Sequence, residues 1–149
     1  MPSDQMRSTQ VSASRQLLLV VAEHWASSSG QLQRFARESA DGKWLRVGKP
    51  VAVSLGRSGL TWGRGLHPPV DGVGPEKREG DGRAPAGVFA ISALFGIAGE
   101  ESDLARRAKL PYLCATRDLK AIDDPASAYY NQIVYQSAIA RPDWASCED

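Results

Sequence analysis

Covalent chemistry in this chain is bounded by two cysteines and two histidines, Cys114, Cys147, His24 and His67. A thiolate nucleophile needs a base within reach, usually histidine, and N–H donors to hold the oxyanion. Cys114 sits in PYLCATRD, where no glycine or helix start offers an anion nest, so it reads as a strand or core cysteine. Cys147 lies in the final RPDWASCED, a poor platform for a preorganised site. The two thiols make no disulfide framework; they either pair or stay free. GRSG at 56–59 lacks the Gly-x-Ser-x-Gly spacing of a nucleophile elbow. The histidines are far apart and no Cys-x-x-Cys exists, so no metal site is expected. Asp123 and Asp124 are adjacent, and in extended chain their carboxylates point opposite ways. They suit a turn better than an acid and base pair. No residue is therefore assigned to catalysis, and no cofactor is expected: neither phosphate-binding glycine pattern is present.

The densest chemistry is KREGDGRAPAGVF, Lys77 to Phe89. The stretch around it carries too many acids to cradle an anion. Gly80 and Gly82 open turn dihedrals closed to other residues. Asp81 between them is placed to accept from backbone amides of the same turn. Pro85 fixes the entry angle, and Gly87 leaves room for Phe89 to pack inward. Lys77 and Arg83 are left to face solvent or a carboxylate-bearing ligand. His67, in GRGLHPP, either lines a groove or is a capped surface residue. Trp62 and Trp25 are expected to anchor core.

These loops need a scaffold, and the pattern predicts a mainly β one. A tail is expected over 1–15, then a strand over 16–24, a hairpin arm between turns at 27–30 and 40–42, and strands at 43–47 and 51–55 split by Gly48–Pro50. Residues 60–81 read as an ordered Gly/Pro-rich crossing. Further strands are expected at Val88–Leu94, Tyr112–Thr116 and Gln132–Tyr135. One short helix is expected over Gly99–Lys109, its acids first and its bases last as the helix dipole favours. The chain has 149 residues and a formal net charge of +1, so one domain is the default and a dedicated nucleic-acid binder is disfavoured. No apolar run reaches membrane-span length, and no signal peptide is visible.

KREGDGRAPAGVFAI followed by LFG resembles the lead-in of the L,D-transpeptidase catalytic domain, the YkuD-like fold. More closely, it resembles a bacterial branch with the pattern Lys-x-Glu-Gly-Asp-Gly-(Arg/Lys)-(Thr/Ala)-Pro-x-Gly-x-Phe. Lys77, Glu79, Gly80, Asp81, Gly82, Arg83, Pro85, Gly87 and Phe89 carry it. Upstream, WGRGLH at 62–67 resembles a string of the same branch. Downstream, IDDPASAYYNQIV, with Asp123, Asp124, Tyr130 and Asn131, resembles its Asp-Asp-Pro and Tyr-Asn segment. The resemblance implies an incomplete YkuD-like β-sandwich or barrel-like domain over 16–149. It also implies cysteine-dependent transpeptidation of peptidoglycan stem peptides through a thioester, and an extracytoplasmic location. The family's His and Gly-Cys segments find no counterpart here, and the chain is expected to stop short of them and to be inactive by itself. Two other roles follow from the same residues. One is a peptidoglycan-peptide-binding module with His67, Lys77 and Arg83 along its groove. The other is an interaction protein that self-associates through exposed edge strands.

Overall fold

The computed structural model describes residues 12–68 and 74–148. The first eleven residues of the expected tail, and residues 69–73 of the glycine-rich crossing, lie outside the described residues. The fold is mainly β. The chain divides into two compact units, Met1–Ala90 and Ile91–Asp149.

The first unit begins with an antiparallel sheet in the order β1 (Gln16–Val21), β2 (Ser29–Ala36), β3 (Leu45–Ser54). Leucine and valine fill β1, and the Ser-rich turn predicted after it delivers β2. The two predicted strands at 43–47 and 51–55 are one. β3 runs through Gly48 and Pro50 because the register shifts between Leu32 and Arg34 of β2, a bulge that absorbs the irregularity. Gly48 takes φ +69 there, and the Gln33 side-chain amide Nε2 donates across the bulge to the carbonyls of Val47 and Gly48, both at 3.4 Å. Pro50 is tolerated because β3 is an edge strand with one unpaired side.

The turn at Gly56–Gly59 closes with a bridge between its two glycines. It leads into β4 (Leu60–Trp62), which pairs in parallel with β5 (Ala84–Ala86). The strand predicted at Val88–Leu94 does not form. Its place is taken by β5 before it and β6 after it, with no ladder across 88–93. β4 supplies only three residues to pair with, and Gly87 leaves the strand at φ +143. Thr61, at 0% exposure, is the most buried side chain of this unit.

The second unit holds β6 (Leu94–Gly96) parallel to β7 (Tyr112–Cys114), and β8 (Leu119–Ala121) antiparallel to β9 (Ile133–Tyr135). The predicted helix shrinks to α1 (Asp103–Arg107). Ser102 caps it by accepting from the Ala105 amide at 3.2 Å, with Asp103 in the first turn and Arg106 and Arg107 in the last. Leu119 and Ile122 are the buried aliphatics among the described residues. No described helix is long and apolar enough to cross a membrane.

Candidate functional site

The turn at 77–83 is built around one carboxylate. Asp81 Oδ2 accepts from the Arg78 amide at 3.0 Å. Its Oδ1 accepts from the Arg83 amide at 2.8 Å and from Lys77 Nζ at 2.6 Å. Gly80 and Gly82 take φ +70 and +66, so the glycines supply the left-handed dihedrals the sequence predicts. The Arg78 amide first, then the Lys77 ammonium, hold the Asp81 carboxyl down to about 2 from an ordinary 3.8. Because the folded value is depressed, the stabilisation is fully present above the ordinary value and is lost as pH falls through about 2. Asp81→Asn should therefore flatten the acid limb of a thermal-melt series below about pH 4. It should not abolish that limb. Asp118, Asp124 and Asp143 are also held low, chiefly by the Ser137 hydroxyl, the Ala145 amide and the Ser127 hydroxyl respectively. An unchanged acid limb would show that Asp81 is not part of it.

Two of the three residues expected along a groove are engaged inside the fold. Lys77 Nζ donates to Asp81 and to the Arg78 carbonyl at 2.8 Å. Arg83 Nη1 donates to the Leu60 carbonyl at 3.0 Å and the Trp25 carbonyl at 3.5 Å. Arg83 thereby ties the end of β5 to β4 and to the chain leaving β1. Its link to Trp25 spans 58 positions, which no local motif could announce.

His67 stands at the end of an aromatic row. Trp25 and Trp62 meet edge to face with centroids 5.3 Å apart, and Trp62 and His67 are 5.5 Å apart. Glycine backbone packs against this row. A Cβ on Gly74 would lie 2.6 Å from the Trp25 ring, and one on Gly87 would lie 2.2 Å from His67 Nε2. The His67 Nδ1 lies 2.8 Å from the Pro68 carbonyl, which can only accept, so Nδ1 carries the proton of the neutral ring. Nε2 then keeps a lone pair. That atom and Trp62 Nε1 are both buried and find no hydrogen-bond partner among the described residues. One is an acceptor and the other a donor, and each buried orphan costs about 1–3 kcal/mol. Phe89 does not pack inward as its spacing suggests: it is 47% exposed. Gly87, two positions earlier, takes φ +143, so the regular alternation of a strand that would turn the ring inward is broken before it.

The Asp-Asp-Pro segment of the second unit is a scaffold. Asp124 accepts from the amides of Ala126 at 2.9 Å and Ala145 at 2.7 Å. Asp143 accepts from the Ser127 hydroxyl at 2.5 Å and the Ala128 amide at 2.9 Å. Asp123 Oδ1 is buried and finds no partner among the described residues. Asn131 holds a left-handed φ of +61, and its amide donates to the Ile122 carbonyl at 2.9 Å. Tyr130 closes the preceding turn through its amide to the Ser127 carbonyl at 3.2 Å. Asp143 and the Tyr129–Trp144 ring pair, 5.7 Å apart, complete this scaffold and were not singled out by the sequence. Cys114 and Cys147 are half-buried and are not joined in a disulfide. Both belong to the second unit, whereas both histidines belong to the first. Among the described residues no group of three or more His, Cys, Asp or Glu side chains could hold a metal ion. Searches of family models, of curated proteins and of solved structures found no match to this chain.

Proposed function

We propose that the chain recognises peptide, and that the peptides are peptidoglycan stem peptides handled by a YkuD-like scaffold of the L,D-transpeptidase type. The observation that carries peptide recognition is the pair of orphan atoms, Trp62 Nε1–H and His67 Nε2. A peptide unit presents a carbonyl and an N–H together, the complement of that donor and acceptor. Both atoms are already out of water, so pairing them removes a standing cost and leaves only the peptide's own groups to be desolvated. The backbone at Gly87 covers Nε2, and a bound peptide must displace that cover. The stem-peptide class rests on the three ordered motifs, WGRGLH, KREGDGRAPAGVF and IDDPASAYYNQIV. The same resemblance is what supports a location outside the cytoplasm in this reading. Lys77 and Arg83 act in this reading as the frame of the site, since their donors are spent on Asp81 and on backbone carbonyls. Recognition, not turnover, is the activity proposed, because the Gly-Cys dipeptide of the family's nucleophile segment does not occur in this sequence.

Calorimetric titration with stem-peptide fragments tests the proposal. Saturable binding is expected at submillimolar affinity. Trp62→Phe keeps an aromatic ring in the row but removes the N–H donor together with part of the indole, and it should weaken binding by about tenfold. No heat of binding at millimolar ligand would remove the proposal.

A further inference from the structure

Among the described residues, the sheet of the first unit has one guarded edge and one open edge. β3 carries Arg46, Lys49 and Pro50, the charges and proline that discourage pairing. β1 reads QLLLVV, with neither charge nor proline. Its aliphatic residues are exposed on both faces, from 38% at Leu17 to 56% at Val21. The Arg37 amide donates to the Arg15 carbonyl at 3.0 Å, so odd-numbered main-chain groups of this strand turn towards β2. Those of Leu18 and Val20 turn to the open side.

We infer that β1 pairs with β1 of a second copy, antiparallel, about a two-fold axis at Leu19. The sequence around that axis is self-complementary. Leu19 faces Leu19 of the second copy, Leu18 faces its Val20, and Leu17 faces its Val21, so every central pair is aliphatic. The next odd position on either side sets Arg15 opposite Glu23 of the second copy, and the symmetry repeats that pairing at the other end. Both are exposed, and neither makes an ion pair among the described residues. Moving the register by one pair in either direction loses this. One shift sets Glu23 against Leu17, the other sets Arg15 against Val21. The chosen register also joins the open N–H and C=O groups of Leu18 to those of Val20, leaving Leu19 with Leu19 as a pair without mutual hydrogen bonds. The product is a continuous six-stranded sheet. Its odd-numbered face runs Leu17, Leu19 and Val21 into Phe35 and Arg46 of each copy. This inference stands apart from the peptide reading, since it uses no residue of the His67 cluster.

The test uses the full chain with Cys114→Ser and Cys147→Ser as background. Leu19→Cys should form a disulfide-linked dimer under mild oxidation, because a directly opposed pair lies within disulfide reach. Leu17→Cys should not, as its counterpart sits four positions along the strand. Sedimentation of the unaltered chain should show a dimer. Glu23→Arg should weaken it by about fivefold, and adding Arg15→Glu should restore it. Position 23 lies outside β1, so this charge reversal stays readable if a cysteine variant misfolds. Equal cross-linking at positions 17 and 19, or a monomer at hundred-micromolar protein, would overturn the inference.

Discussion

Gly59→Ala is expected to unfold the first unit, at a cost of about 4 kcal/mol or more. Three segments cross at this buried glycine. Its amide donates to the Gly56 carbonyl at 2.8 Å, its carbonyl accepts from the Ala84 amide at 2.9 Å, and the next amide, that of Leu60, donates to Trp25 at 2.7 Å. A Cβ would lie 2.0 Å from the Trp25 carbonyl oxygen and 2.7 Å from the Ala26 Cα. Both are backbone atoms and cannot swing aside as a side chain would. The φ of +90 adds strain for any L side chain. The Trp25 carbonyl also accepts from Arg83, so displacing it loosens the β4–β5 junction and the aromatic row together. Gly80→Ala is the control. It too has a positive φ, +70, but nothing lies within 4 Å of its Cβ position. Only the dihedral cost remains, about 1 kcal/mol. Urea midpoints should separate the two variants clearly. Equal losses would mean that the crossing at Gly59 is not what holds the unit.

The contrast between those glycines shows what the sequence makes legible. Gly80 and Gly82 were readable because the turn they serve is local: glycine, aspartate, glycine, and a carboxylate whose partners sit within four positions. The same holds for β1, whose aliphatic run declares itself, and for the acid-to-base order of α1. Gly59 was readable as a turn residue but not as a crossing point, since Trp25 and Ala84 reach it from distant chain. Arg83 looked free for the same reason. Its motif gives its neighbours, while its acceptors, the carbonyls of Leu60 and Trp25, come from the fold. The bulge that fuses two predicted strands into β3 depends on Gln33 in the facing strand. The orphan pair was half legible. Trp62 and His67 stand in one short motif, yet the burial that leaves Nε1 and Nε2 unpartnered comes from packing that includes Trp25 and Gly87.

Ile122→Ala should cost about 2–5 kcal/mol, a large share of what a small β unit has to lose. Ile122 is 2% exposed, and Leu119 at 8% is the other buried aliphatic described. The site cannot collapse freely around a truncated side chain. The Ile122 amide donates to the Gln132 carbonyl and its carbonyl accepts from Asn131, both at 2.9 Å. These bonds clamp the backbone on both sides of the residue, next to the β8–β9 pairing. A cavity is therefore left, and its lining loses contacts outright. Trp144, edge to face with Tyr129, supplies an aromatic signal from the same unit. That near-ultraviolet signal should melt at markedly lower temperature in Ile122→Ala. Ile97→Ala removes the same atoms from a residue 92% exposed and should change stability by no more than about 0.5 kcal/mol. If the two variants melt alike, burial at Ile122 does not hold this unit. Its order would then rest on the aspartate-to-amide bonds of Asp118, Asp124 and Asp143, and acid would unfold both variants equally.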